Sequence, residues 1–136
     1  MSRVFGIDKS VINVIFTNYL RLSEQYSENF VYPITMIVYN NTIKIDPFIA
    51  EVWLQWLLQE HIPEIMALGL FTEWKMFRLL EQDDTEGMTF VIQYFAPSLE
   101  NYYQFTEEFA PALQRRSFDK WGDRFIAFRT VMEVVH

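Results

Sequence analysis

The sequence of 136 residues predicts an α+β protein with the ferredoxin-like order βαββαβ: a four-stranded antiparallel sheet with two helices on one face. Two observations carry this prediction. Four segments rich in β-branched and aromatic residues are interleaved with two segments of helical periodicity. Proline and glycine stand at most of the joins, where chains turn and helices begin or end. We therefore expect a single domain of this class.

The first half of the domain contains a strand and a helix. Residues 36–45 are apolar and β-branched enough for a strand. Asp46 and Pro47 follow, and this pair is typical of a helix start, with aspartate as the N-cap and proline at the first helical position. The helix continues to residue 61. Pro63 then predicts a kink or a second short helix.

The second half repeats this alternation. Its acidic turn, rich in Asp and Gly, joins two strands into a hairpin, and Pro111 predicts a kink in the helix that follows. The elements are a strand at 70–81, the turn at 82–87, a strand at 88–96, a helix at 99–120 and a last strand at 124–135.

The first 35 residues differ from the rest of the chain. Their charges cancel, so the later residues carry all of the net charge of −7. Apolar residues recur at helical spacing between residues 11 and 22, which would fit a short amphipathic helix. The clean strand pattern begins only at Met36. We expect residues 36–136 to form the domain and residues 1–35 to be an N-terminal extension, either an over-extended start or a dispensable tail.

Charge and composition exclude several classes of function. A net charge of −7 lacks the basic face that nucleic acids and anionic membranes require, so neither is an expected partner. The chain has no cysteine, which excludes disulfides, thiolate nucleophiles and cysteine-ligated metals. The four glycines are scattered rather than grouped in a phosphate-binding loop. We expect a cytoplasmic protein without a cofactor.

The predicted sheet carries apolar residues on both faces. Alternate residues of each strand form two sets, or parities, that point to opposite faces of the sheet. One parity is almost wholly apolar and is expected to pack on the helices. It comprises Ile37, Tyr39, Ile43, Ile45, Phe77, Leu79, Phe90, Ile92, Tyr94, Ile126, Phe128, Met132 and Val134. The other parity is mixed. Leaving its large apolar members in water would forfeit several kcal/mol at about 25 cal/mol per Å². We therefore expect a homodimer in which two sheets pack face to face to form an α/β barrel. The predicted interface consists of Trp74, Arg78, Gln93, Phe95, Arg129, Val131 and Glu133.

The polar members of this interface allow two interpretations. Arg78, Gln93, Arg129 and Glu133 could form a pocket for an anionic ligand inside the barrel. They could instead form Arg–Glu pairs and hydrogen bonds across the dimer, because buried charges must be paired. The second interpretation is our prediction.

A series of motifs in order resembles a bacterial family of short proteins known only as a domain of unknown function. The motifs are MIVYNNTIKID, WLQWL, EHIPEI, GLF, RLLEQDD, QYFA, EEFAPAL and GDRFIAFRT, and they span residues 36–135. The same region is similar to dimeric α/β-barrel proteins, among them antibiotic-biosynthesis-type monooxygenases and stress-response barrel proteins. The resemblance implies a fold and a homodimer but no established reaction.

His61 is the candidate catalytic residue. An unperturbed histidine has a pKa near 6.5 and can act as a general base at neutral pH, and Glu60 and Glu64 flank it. The alternative is structural, since a histidine at a helix end bonds the last carbonyls. No metal site is predicted. His61 and Glu64 have a spacing found in helix-bundle metal sites, but Pro63 interrupts the helix between them.

Two functions follow from these residues. In the first, a homodimer binds a small apolar or aromatic molecule between helices and sheet, with the pocket lined by Trp56, Glu60, Glu64, Tyr94 and Tyr102. The aromatic members could equally be core. In the second, the protein is a cofactor-independent oxygenase or isomerase with His61 as general base. A protein-interaction module with an acidic surface is a third class, and the sequence does not decide whether the chain is an enzyme.

Overall fold

The computed structural model describes residues 35–136 and, further upstream, the backbone of two short strands, β1 (Arg3–Val4) and β2 (Ile7–Asp8). These two strands pair antiparallel, with Arg3 opposite Asp8. The chain divides into two compact units, Met1–Pro33 and Ile34–His136. The helix predicted between residues 11 and 22 lies outside the described residues.

The second unit contains the predicted βαββαβ order. Its elements are β3 (Ile37–Ile45), α1 (Ala50–Trp56), α2 (Ile62–Ala67), β4 (Glu73–Arg78), β5 (Thr89–Ala96), α3 (Leu99–Gln104), α4 (Ala110–Trp121) and β6 (Phe125–Glu133). The strands form one antiparallel sheet in the order β4-β5-β3-β6, with β4 and β6 at its edges. The predicted fold class, a ferredoxin-like α+β arrangement, is confirmed.

Each helix pair is continuous through a π turn. Leu57–His61 joins α1 to α2, and Phe105–Phe109 joins α3 to α4. In each turn the first carbonyl accepts a hydrogen bond from the amide five residues later in the chain. In the first turn, the amide of Ile62 donates to the carbonyl of Leu57. A proline in a regular α-helix clashes with the carbonyl four residues before it. Because both π turns contain that carbonyl, the wider turn accommodates Pro63 and Pro111 without ending the helix.

The π turns also keep the apolar face of each helix on the core. Leu57 and Ile62 are both buried, as are Phe105 and Ala110 in the second helix pair. Residues five apart lie about 140° apart around an α-helix, so a regular helix could not turn both members of such a pair toward the sheet. The π turn brings them onto the same side. These helices contribute Trp53, Leu57, Ile62, Ile65, Phe105, Ala110 and Leu113 to the core.

The sheet contributes alternate residues of its two central strands to this core. Ile37, Tyr39 and Ile45 from β3 are buried, and Phe90, Ile92, Tyr94 and Ala96 come from β5. The register confirms this, because Tyr39 lies opposite Tyr94 and Ile43 opposite Phe90. The predicted facing of β3 and β5 is therefore correct.

The predicted facing of the two edge strands is wrong. Trp74, Met76 and Arg78 lie opposite Tyr94, Ile92 and Phe90, so they share the face that the helices cover. In β6, Phe125, Arg129, Val131 and Glu133 lie opposite Ile45, Asn41, Tyr39 and Ile37, which places them on the helix face too. Of the residues predicted for the dimer interface, Trp74, Arg78, Arg129, Val131 and Glu133 thus lie on the opposite face. Gln93 and Phe95 alone lie on the sheet face away from the helices, which we call the open face.

Two physical reasons explain this error. Strand β4 ends at Arg78, and although the amide of Leu79 still donates to the carbonyl of Thr89 at 2.9 Å, Leu80 lies beyond the strand and says nothing about its facing. In β6 both parities contain large apolar residues. Alternation then cannot identify the inward face, and only pairing with β3 fixes it.

Two turns hold the sheet and helices in register. The carboxylate of Asp46 accepts a hydrogen bond from the amide of Phe48 at 2.8 Å and caps the turn that leads into α1, which begins at Ala50. In the second turn Gly87 has a φ of +127°, and a Cβ there would lie 2.0 Å from the carbonyl oxygen of Ile45. Glycine is therefore required where the hairpin loop meets the end of β3.

Within residues 35–136, no helix is both long and apolar enough to cross a lipid bilayer.

Candidate functional site

A cleft opens between the helix layer and the β3–β6 side of the sheet. It has a volume of about 50 Å³. Its apolar wall comes from β3, α2, the second π turn, α4 and β6, and includes Ile43, Ile65, Phe105, Leu113 and Phe125. A cavity of about 150 Å³ holds benzene, so this one admits several water-sized groups but no aromatic ring in its interior.

The polar lining of the cleft comes from four separate elements. Tyr39 and Asn41 belong to β3, His61 to the first π turn, Arg129 to β6, and the remaining two, Gln114 and Ser117, to α4. Residues 41 and 129 lie directly opposite each other in the sheet. The fold therefore gathers hydrogen-bonding groups that are as far as 90 positions apart in the chain, which is how ligand sites are commonly built.

His61 lies on the cleft wall as a neutral ring. Its imidazole stacks on the indole of Trp56, with ring centres 4.6 Å apart, and Trp56 in turn contacts Trp121. Burial lowers the pKa of His61 from 6.5 to about 4; Glu64 raises it, whereas Arg116 and Arg129 lower it. The helix continues to Ala67, so His61 does not cap a helix end. A neutral ring can donate one hydrogen bond and accept another.

Tyr39 and Asn41 form the floor of the cleft. Burial raises the pKa of the Tyr39 hydroxyl, and the positive charge of Arg129 with hydrogen bonds from Asn41 and Arg129 offsets part of this rise. The Oδ1 atom of Asn41 is buried and finds no hydrogen-bond partner within the part of the chain described. An unpaired buried acceptor of this kind costs about 1–3 kcal/mol, which a donor that reached this atom would remove.

Arg129 supplies the positive charge of the cleft. The described residues contain four ion pairs, Lys44–Glu86, Arg78–Asp84, Arg116–Glu64 and Arg124–Asp46, and Arg129 belongs to none of them. The nearest acidic residue on α2, Glu64, already pairs with Arg116. Because His61 is neutral, the cleft has one cationic group without a carboxylate partner among residues 35–136.

Most of the predicted ligand-binding residues lie elsewhere. Tyr94 is fully buried in the core, with its ring centre 5.3 Å from that of Phe71. Tyr102 packs beside Tyr39, and Trp56 stacks behind His61. Glu60 and Glu64 are exposed on the helix surface. Of the predicted site, only His61 lines the cleft, and no cluster of three His, Asp or Glu side chains suited to a metal occurs among the described residues.

Sequence reasoning considered Arg129 for an anion pocket, but inside the barrel, and it missed Tyr39, Asn41, Gln114 and Ser117 as polar residues of the cleft. One signal was present. Asn41 has the same parity as the apolar residues Ile37, Tyr39, Ile43 and Ile45, and a polar residue on a helix-facing parity must find a partner or a ligand. Arg129 could not be found in this way, because it depends on the facing of β6.

The open face of the sheet is a second candidate surface. It carries Val38, Asn40 and Thr42 from β3, Val91, Gln93 and Phe95 from β5, Phe77 from β4, and Ile126, Phe128 and Met132 from β6. Phe128 is 68% and Ile126 58% exposed on the edge strand β6, whereas Val38 and Asn40 on the central strand β3 are buried. In the centre, Gln93 donates to Asn40 and Asn40 donates to Thr42, both at 3.3 Å. A polar row of Lys75, Gln93, Asn40 and Thr130 thus crosses the face from β4 to β6, with apolar side chains on both sides of it.

Comparison with solved structures places the chain among ferredoxin-like α+β proteins. A protein of the ethyl tert-butyl ether d (EthD) family from Bacillus halodurans C-125 aligns with a TM-score of 0.52 at 11% identity, over 69% of this chain and 96% of its own. A dimeric ferredoxin-like protein from an uncultured marine organism aligns with a TM-score of 0.51 at 11% identity, over 75% and 96%. At this identity the likeness concerns the fold alone. No curated protein matches the chain.

The family is established by sequence. Residues 36–135 match the profile of a domain of unknown function, DUF4286, and the chain belongs to this family. The match begins at the residue where the strand pattern of the sequence begins. The resemblance drawn from the motifs is thereby confirmed.

Proposed function

We propose that this protein works as a homodimer in which the open sheet faces of two protomers pack together into an α/β barrel. The observation that carries the proposal is the row of large apolar side chains on that face, above all Phe128 and Ile126. Covering such groups removes them from water and stabilises the assembly by about 25 cal/mol per Å². The interface differs from the one predicted, because β4 and β6 present Phe77, Ile126, Phe128 and Met132 instead.

The size of the face supports a specific interface. Four strands of these lengths, about 4.8 Å apart and rising about 3.3 Å per residue, cover roughly 500 Å² of flat area. Two such faces together reach roughly 1,000 Å², the lower limit for a specific protein–protein interface, and projecting side chains increase the true value. The marine ferredoxin-like protein described as dimeric has the same fold, which also favours this arrangement.

The polar centre of the face fits the same proposal. Gln93, Asn40 and Thr42 bond to one another within one protomer, so a partner sheet can cover them at little desolvation cost. The Lys75 ammonium lies 5.6 Å from the centre of the Phe95 ring, where it can stay at the rim in contact with water. Polar groups at an otherwise apolar interface also fix the register of two packed sheets.

The test is the molar mass of Phe128→Glu in solution, measured by light scattering and sedimentation. We expect wild type at twice the mass of one chain and Phe128→Glu at the mass of one, because a charge cannot be buried unpaired. Phe118→Glu is the matched control. Phe118 is 61% exposed on α4, on the helix side of the sheet, and this variant should stay dimeric. A monomeric wild type, or equal behaviour of the two variants, would contradict the proposal.

We infer that each protomer also binds a small molecule in the cleft beside His61. The polar lining and the volume of about 50 Å³ favour a smaller and more polar ligand than the apolar or aromatic one predicted. The alternative, an oxygenase or isomerase with His61 as general base, stays a prediction. A histidine with a pKa of about 4 is a weak base at neutral pH, so binding is the better supported role.

We place the dimer in the bacterial cytoplasm, where an acidic, cysteine-free protein is well suited.

A further inference from the structure

We propose that the cleft between α4 and β6 binds a small carboxylate that also carries a hydroxyl or amino group, with the carboxylate on Arg129 and the donor on Asn41. This inference rests on the ligand binding proposed for the cleft and names the class of ligand. It does not depend on the dimer, because the open sheet face lies on the other side of the sheet. Three features of the cleft carry it: its charge, its unpaired acceptor and its size.

The charge of the cleft selects an anion. Lys75, Arg115, Lys120 and Arg129 have no carboxylate partner among residues 35–136, and of these four cations only Arg129 lines the cleft. A guanidinium presents parallel N–H groups that match the two oxygens of a carboxylate, and such bonds are about twice as strong as neutral ones. The Tyr39 hydroxyl interacts with the same guanidinium and helps to fix its position.

The unpaired acceptor selects a second group on the ligand. Asn41 lies opposite Arg129 in the sheet, and its Oδ1 has no donor among the described residues. Because this atom is closed to solvent, the Asn41 amide turns toward the cleft when the ligand binds. A simple carboxylate has acceptors only and would leave this oxygen unsatisfied. A hydroxyl or amino group next to the carboxylate would satisfy it and remove the cost of an unpaired buried acceptor. Gln114 and Ser117 on α4 provide further hydrogen-bonding groups on the same wall.

The size of the cleft limits the ligand to a few heavy atoms. Its volume of about 50 Å³ is roughly a third of the 150 Å³ needed for benzene. Ile43, Ile65 and Leu113 line the remainder, so one or two carbon atoms can be accommodated between polar ends. Glycolate meets all three requirements and is the probe for the experiment.

The experiment is an NMR titration of the full-length protein that follows the imidazole resonances. The chain has only His61 and His136, so His61→Gln assigns the signal of the cleft. We expect saturable shifts of the His61 signal with glycolate. Acetate lacks the donor and glycolamide lacks the charge, so each should bind at least tenfold more weakly. Glycolate bound beside the ring should also raise the pKa of His61, because the carboxylate stabilises the imidazolium.

Substitutions assign each half of the ligand to its residue. Arg129→Gln should weaken glycolate binding tenfold or more. Asn41→Ala should bring the affinity for glycolate down to that for acetate. Arg115→Gln is the matched control: Arg115 is exposed on α4 and does not line the cleft, so its variant should bind as wild type. Phe128→Glu should also retain binding, which separates this proposal from that of the dimer.

Several results would overturn the proposal. They are the absence of a saturable shift, equal affinity for glycolate and glycolamide, and equal affinity in Arg129→Gln and Arg115→Gln. Equal affinity for glycolate and acetate in wild type would remove the role of Asn41 and with it the ligand class. The comparison of the three probes uses wild-type protein only, so it holds even if a substitution disturbs folding.

Discussion

His61 shows at the scale of single residues how burial changes a side chain's chemistry. A histidine flanked by two glutamates would be expected to have a raised pKa. Instead the ring is packed against Trp56 and partly withdrawn from water, and desolvation outweighs the attraction of Glu64. The residue singled out from the sequence therefore lies in the cleft, but as a neutral hydrogen-bonding group.

This shift predicts how stability depends on pH. The pKa of His61 is about 4 in the folded protein and 6.5 when unperturbed, so the unfolded state takes up the proton first. The contribution is fully present above about pH 6.5 and is lost as pH falls toward 4. As the pH falls from 8 to 5, we expect the loss of this His61 contribution to lower the free energy of unfolding by about 2 kcal/mol. Urea denaturation of wild type and His61→Gln measures this.

The variant isolates the histidine, because every other titrating group, His136 included, is common to both proteins. His61→Gln should lose about 2 kcal/mol less than wild type over the same pH interval. Parallel pH profiles for the two proteins would show that the His61 ring is not neutral and buried in solution.

Gly87 provides a second prediction at this scale. A Cβ at this position would lie 2.0 Å from the carbonyl oxygen of Ile45, and φ is +127°. We expect Gly87→Ala to lower the free energy of unfolding by more than about 2 kcal/mol. Gly69→Ala is the control, since φ is +74° there and a Cβ would meet nothing within 4 Å. Its cost should stay near 1 kcal/mol; equal losses in chemical denaturation would contradict the role of the close contact.

At the scale of elements, the helices were predictable in position but not in form. Pro63 and Pro111 indicated an interruption, and the chain accommodates each with a π turn. The spacing of buried residues carries the same information, since the helical apolar pattern shifts by one position after Leu57 and after Phe105. This shift can be identified in the sequence only when the buried face of each helix is known.

The start of α3 provides a prediction for an element. The Ser98 hydroxyl accepts a hydrogen bond from the amide of Asn101 at 3.1 Å, and the side chain of Asn101 bonds the carbonyl of Leu70. Ser98→Ala should lower the free energy of unfolding by about 1 kcal/mol, because the amide loses its partner.

Ser98→Asp restores an acceptor at the same position and should recover most of that loss in the same denaturation assay. If Ser98→Asp is as unstable as Ser98→Ala, the cap does not hold the helix start.

At the scale of the whole molecule, the open sheet face links the domain boundary to assembly. The family match and the strand pattern both begin at Met36. We predict that residues 36–136 alone keep the dimeric mass and the urea midpoint of the full chain, because the apolar face is covered by a second copy. Light scattering and denaturation of the shortened chain measure both quantities.

The opposite result has a definite meaning. If the full chain is monomeric and the shortened chain aggregates or dimerises, the face is covered by residues 1–35 and the homodimer is excluded.

Local periodicity and composition were enough to predict the order of elements, the facing of β3 and β5, and the excess of apolar residues for one sheet face. The facing of β4 and β6, and with it the position of Arg129 in the cleft, depended on the fold. The physical reason is that both faces of an edge strand can carry apolar residues, so its orientation depends on pairing with a distant strand. Arg129 meets Asn41 and His61 through that pairing, and no local pattern encodes it.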